Sequence, residues 1–128
     1  MLKLLYVLMM EEIRRPERHP KGWGYEDWIV NNSNYCSKIL HFEKGKKLSW
    51  HYHKIKVETF FVLSGKLVLR IGESDDIDHS DEIELNEGDT YTVEREIRHQ
   101  LIALKDSQVL EISTQHYEED SYRIIRGD

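Results

Sequence analysis

Between Gly45 and Gly65 the chain reads G-x5-H-x-H-x4-E-x6-G, with His51, His53 and Glu58 at its centre. Side chains alternate across a strand with period two, so two histidines one residue apart leave the same face. Leu48-Ser49-Trp50 before the pair and Thr59-Phe60-Phe61-Val62-Leu63 after the glutamate are strand-like by aromatic and β-branched content. For Glu58 to join the histidines, the chain must turn and run back along the same wall. Imidazole nitrogen with carboxylate oxygen is a ligand set for a divalent first-row metal. The pattern therefore asks for a β-barrel whose interior gathers these side chains at one point.

The rest of the chain agrees with such a frame. Strand candidates recur at Tyr25–Val30, Tyr35–Phe42, Lys47–His53, Thr59–Leu63, Lys66–Ile71, Glu82–Leu85, Thr90–Val93, His99–Ala103 and Val109–Thr114. Breakers such as Asn31-Asn32-Ser33-Asn34, Gly45, Gly72 and Asn86-Glu87-Gly88 separate them, which predicts an all-β sandwich or barrel. Ser64-Gly65 reads as a tight hairpin turn. Arg15–Gly24, which holds both prolines, reads as a connecting loop. Gly72–Asp81 is rich in carboxylates but lacks EF-hand spacing, so it reads as an exposed polar loop. Tyr117–Asp128 reads as a short terminal helix or strand that docks through Ile124 and Ile125.

A fourth ligand candidate lies in the alternating stretch Glu96–Ala103. On period two, Ile97, His99, Leu101 and Ala103 share one face, so His99 sits among inward apolar residues. A barrel lined by Trp50, Phe60, Val62, Ile97 and Leu101 would keep such a site partly dry.

Composition sets outer bounds. At 128 residues the chain has room for one domain, divided here into an N-terminal segment, 1–24, and a barrel, 25–128. A net charge of −6 argues against nucleic acid, which requires a basic face. Cys36 is the single cysteine, which excludes an intrachain disulfide and fits a reducing, cytoplasmic setting. Leu2–Met10 is apolar but too short to span a bilayer and lacks a cleavage site, so no membrane role is expected. It reads as a segment that docks on the barrel or on a partner subunit.

The run from Gly45 to Gly65 matches the first motif of the cupin superfamily at every fixed position, and the chain resembles that superfamily. In the second cupin motif, G-x5-P-x-G-x2-H-x3-N, Gly88 and His99 keep their places. Glu94 stands for the usual Pro, Glu96 for Gly and Ala103 for Asn. Within the superfamily the chain is most similar to the sugar-phosphate isomerase type, notably the C-terminal domain of type II mannose-6-phosphate isomerase. Lys21-Gly22-Trp23-Gly24, Leu48-Ser49, Tyr52-His53, Glu58, Val62–Gly65 and Arg123-Ile124 carry that likeness over roughly residues 21–126. The family often has Gln at His51, and Arg at Lys56 and Gln100.

The resemblance implies a cupin double-stranded β-helix, a jelly roll of two antiparallel sheets. It also implies one divalent transition metal (manganese, iron, zinc, nickel or cobalt) on His51, His53, Glu58 and His99. The implied reaction interconverts aldose and ketose phosphates through an enediol. Its base is Glu58 or Glu94, with Glu96 beside them. Lys54 and Lys56, in a loop after the histidine pair, are expected to take a sugar phosphate, and Tyr52 and Arg98 are further substrate-binding candidates. A homodimer formed through the sheets is expected. The same ligands also suit a metal-dependent dioxygenase or a non-catalytic small-molecule binder.

Overall fold

In the computed structural model of the chain, residues 12–128 are described. The apolar segment Leu2–Met10, expected to dock on the barrel or a partner, lies outside them.

Among the described residues, eleven strands build two antiparallel sheets. They are β1 (Glu17–Lys21), β2 (Gly24–Asn31), β3 (Cys36–Phe42), β4 (Trp50–Tyr52), β5 (Glu58–Ser64), β6 (Lys66–Gly72), β7 (Asp81–Asn86), β8 (Thr90–Val93), β9 (Arg98–Ala103), β10 (Ser107–Ser113) and β11 (Tyr122–Ile125). One sheet runs β1-β2-β3-β10-β5-β8, the other β11-β4-β9-β6-β7. From β3 onward the chain changes sheet at almost every step, and only the β6–β7 hairpin stays within one. This is the expected double-stranded β-helix.

Period-two burial explains the packing. In β3, Cys36, Lys38, Leu40 and Phe42 are buried while the residues between them are half-exposed. In β5, Glu58, Phe60 and Val62 point inward, and in β10 so do Ser107, Val109, Glu111 and Ser113. The core between the sheets includes Leu40, Phe60, Val62, Leu69, Leu101 and Val109. Charged residues at inward positions, Glu58 on β5, Glu111 on β10 and Lys38 on β3, mark where this core gives way to a polar pocket.

Three local expectations are corrected. Arg15–Gly24 is not a loop throughout: Glu17–Lys21 forms β1, paired only with β2. Pro20 is tolerated there because an edge strand has one side with no ladder to complete. Ser64-Gly65 is not a hairpin, since β5 and β6 belong to different sheets. It is the corner at which the chain crosses between them, and Gly65 takes φ 93° there. Trp50 is fully buried but does not line the interior. Its strand neighbour His51 does, so Trp50 faces the other way and donates its indole N–H to the Asp75 carbonyl at 2.9 Å. The Gly72–Asp81 loop contains a single 3-10 turn, Ile77–His79. Among the described residues, no helix is long and apolar enough to cross a membrane.

Candidate metal centre

The four ligand candidates arrive from three strands and converge. His51 on β4 is the direct cross-strand partner of His99 on β9. His53 follows β4, and Glu58 opens β5 in the opposite sheet. The imidazole centroids are 4.4 Å apart for His51–His99, 4.9 Å for His51–His53 and 5.5 Å for His53–His99. One donor atom from each of the four residues lies within 4.8 Å of all the others.

Hydrogen bonds behind the rings decide which nitrogen faces inward. His51 Nδ1 lies 2.8 Å from the Ser49 carbonyl, His53 Nδ1 3.0 Å from the Asp120 carbonyl, and His99 Nδ1 2.9 Å from the Ile97 carbonyl. A carbonyl only accepts, so each Nδ1 carries a proton and each Nε2 is the nitrogen turned toward the convergence point. This is the outer layer expected behind metal-bound histidines.

The convergence point is suited to a cation. His99 Nε2 stands 2.6 Å from Glu58 Oε1, yet it forms no hydrogen bond and is buried. Glu58 Oε1 also lies 3.7 Å from His53 Nε2. Nitrogen and carboxylate oxygen held this close need a positive charge between them, and a metal ion bound by all four residues would supply it. Burial, reinforced by the neighbouring histidines, holds His51 well below the usual imidazole range. Burial takes His53 down to about 4. Burial pushes Glu58 upward, but Lys56, His99 and His53 outweigh it and leave the carboxyl well below its ordinary value. At neutral pH His51 and His53 are uncharged and Glu58 is a carboxylate, the protonation states a metal requires. The set of three histidines and one glutamate therefore suits a divalent metal; the donors alone accept several.

Behind Glu58 lies a second charged layer. Lys56 Nζ is 3.2 Å from Glu58 Oε2, 3.4 Å from Glu111 Oε2 and 3.3 Å from His116 Nδ1. Burial opposes the Lys56 charge, but Glu111 and Glu58 overcome it and raise its pKa, so it remains an ammonium. Glu111 is shifted the other way from Glu58: burial raises its pKa, opposed by Lys56 and helped by the Glu58 charge. His51, His53, Glu58, Lys56 and Glu111 open into one pocket of about 260 Å³, which Trp23, Leu40 and Phe60 also line.

The remaining candidates fall elsewhere. Tyr52 alternates with His51 and His53, so it lies on the opposite face of β4. There it stacks on Tyr122 at 5.1 Å, and the Arg98 guanidinium sits 3.8 Å over its ring. Arg98 is bound to Asp75 at 2.9 Å, and Lys54 Nζ lies 4.6 Å over Tyr122. Glu94 is exposed and borders a separate groove with Tyr91 and Ile97. Of the expected substrate-binding residues, only Lys56 reaches the pocket, with its ammonium already held by two carboxylates.

Several pocket residues were not foreseen. Lys38 and Glu111 were legible, because each stands at an inward position of an apolar alternation. Arg123 and Arg126 were not, nor was Asp120 behind His53, because their place depends on β11 joining β4, a pairing between distant stretches of chain.

Comparison with known proteins agrees with this geometry. Residues 38–114 match the family described as Cupin domain. A search of the curated proteins finds no match. Among solved structures, a single-residue variant of oxalate decarboxylase from Bacillus subtilis is 18% identical with a TM-score of 0.73, over 84% of this chain and 30% of that one. KdgF from Halomonas sp. is 14% identical with a TM-score of 0.68, over 80% and 91%. The capsular polysaccharide assembling protein CapF from Staphylococcus aureus is 19% identical with a TM-score of 0.72, over 84% and 34%. This chain thus spans about a third of the oxalate decarboxylase and CapF chains, and at such identities the likeness is one of fold. Because the family match takes in more than half of its residues, the chain belongs to the cupin domain family.

Proposed function

We propose that this protein is a metal-dependent isomerase that moves a proton between adjacent carbons of a small hydroxy-carbonyl phosphate, of the aldose–ketose type. The observation that carries this reading is Glu111: a second buried carboxylate in the ligand pocket, outside the ligand set, with its pKa raised by burial. A general base works better as its pKa rises toward the operating pH, and burial beside a like charge moves a carboxylate in that direction.

The roles follow from placement. His51, His53, Glu58 and His99 hold the metal, which when bound supplies Lewis-acid polarisation of a carbonyl oxygen. Glu111 removes the proton from the hydroxyl-bearing carbon beside that carbonyl and returns it to the former carbonyl carbon, while the hydroxyl proton passes to the former carbonyl oxygen. Lys56, fixed between Glu58 and Glu111, holds the base in position. Trp23, Leu40 and Phe60 wall the pocket and limit access of water. The volume of about 260 Å³ lies just below the ~300–1,000 Å³ of typical ligand pockets, so the substrate is small.

The test is turnover of mannose 6-phosphate or a related aldose phosphate by the metal-loaded protein in deuterated water. Deuterium at the product carbon, lost with Glu111→Gln while metal content holds, is expected. Oxygen consumption without isomerisation would instead identify a dioxygenase and overturn the proposal.

A further inference from the structure

We infer that Arg123 and Arg126, together with Lys21, form a subsite at the mouth of the metal pocket for the phosphate group of the substrate. This rests on reading that pocket as the substrate site. Arg123 on β11 is the register partner of His51 on β4. Directly opposed residues on neighbouring strands project to the same side of the sheet, so Arg123 shares the face of a metal ligand. Arg126 and Lys21 border the same pocket.

These two arginines combine a place on the metal pocket with a lack of partners, whereas Arg15, also without one among the described residues, borders a different groove. Arg18 is bound to Asp27, Arg70 to Glu82, Arg95 to the Ile55 carbonyl and Arg98 to Asp75. Neither the Arg123 nor the Arg126 side chain has a hydrogen bond or ion pair among the described residues, although both open onto a polar cleft. The carboxylates nearby are already engaged. Glu26 accepts from the Trp28 indole at 2.8 Å and lies 3.7 Å from Lys38, and Asp128 accepts from the Lys47 backbone N–H at 2.8 Å.

Three cations, two of them guanidinium forks, match a doubly charged phosphate better than a singly charged carboxylate, because each fork can take two oxygens at once. Lys54 and Lys56 are thereby replaced as phosphate ligands. The first packs on Tyr122 at the other face, and the second is neutralised inside the protein.

The experiment is calorimetric titration of the metal-loaded full chain with inorganic phosphate, repeated after chelation so that anion bound directly to metal is subtracted. Arg123→Gln with Arg126→Gln is expected to weaken the chelation-resistant phosphate binding by at least about tenfold, the scale of one charge-assisted hydrogen bond. Metal stoichiometry and melting temperature should hold in that variant, since both side chains are exposed. Lys54→Ala should leave phosphate affinity unchanged. Arginine-dependent binding supports the subsite whether or not sugar phosphates turn over. Equal affinity in the double variant, or no chelation-resistant binding to the wild type, would overturn it.

Discussion

Asp120 holds His53 from two directions. Its backbone carbonyl accepts from His53 Nδ1 at 3.0 Å. Its carboxylate, 2% exposed, accepts from the backbone N–H groups of Lys54, Ile55 and Lys56 at 2.9, 3.0 and 3.0 Å. One residue of the C-terminal stretch thus fixes both the tautomer of a ligand and the loop that follows it. Asp120→Ala keeps the carbonyl that accepts from His53 but frees the loop that follows it, so metal affinity is expected to fall by less than the ~10–100-fold cost of losing an outer-layer partner outright. It should also destabilise the fold by about 3 kcal/mol through three stranded donors. Chelator competition and thermal melts measure the two separately. Unchanged metal affinity would show that the loop holds His53 without this clamp.

Lys56 illustrates a charge that structure demands. It is 4% exposed and sits between two carboxylates. Lys56→Met keeps much of the side-chain volume but leaves Glu58 and Glu111 facing each other without a counter-charge. A loss of about 3–5 kcal/mol is expected, as when one partner of a buried ion pair is removed. Denaturant unfolding reads it. A variant as stable as wild type would mean that Glu111 takes up a proton in compensation, which a pH series of the same measurement would reveal.

The metal-free protein should lose stability in acid. His53 titrates near 6.5 when unfolded and at about 4 when folded. Between these values the unfolded chain binds more protons than the folded one, so stability falls as pH drops through that window, by about 3 kcal/mol for this residue alone. His51, lowered by burial, acts in the same direction. Glu58, whose folded pKa is depressed, adds to the loss at lower pH. Glu111, raised by burial, offsets part of it. Melting temperatures in chelator should fall steadily from pH 7 to pH 4, and His53→Gln should flatten the slope. A profile with no slope above pH 5 would contradict the depressed imidazoles.

The sequence carried the barrel and the ligand set because both rest on period-two alternation, which local residues determine. His51, His53 and Glu58 share a motif, and His99 stood out as a histidine in an apolar stripe. Proximity in sequence was a poor guide to which other residues line the pocket. Glu94 and Arg98 are close to His99 along the chain, but Arg98 has the opposite parity, and Glu94 precedes the turn where Glu96 takes φ 66°. Lys54 follows His53 directly but leaves the pocket face. The groups that do enter the pocket from β11 depend on one long-range strand pairing that no local pattern announces. Ser64-Gly65 failed for a related reason: the residues that suit a hairpin also suit a corner between sheets, and only the partner strands distinguish them.

Gly65 offers the sharpest test of that corner. Its φ of 93° is unfavourable for any residue with a Cβ. An added Cβ would also collide with the Ser107 side chain and stand 2.6 Å from the Asp106 carbonyl oxygen. That backbone has little freedom to retreat, because the Lys66 carbonyl accepts from Leu104 N–H at 2.8 Å and the Lys66 N–H donates to Ser107 Oγ at 3.1 Å. Strain and clash add, so Gly65→Ala is expected to cost about 1–3 kcal/mol or more. Gly45, with φ 84° and open space around it, isolates the strain contribution, and Gly45→Ala should cost less. Chemical denaturation of the two variants side by side decides the matter: equal losses would mean that the corner is looser than its contacts imply, whereas a larger loss at Gly65 locates the added cost in the crossing between sheets.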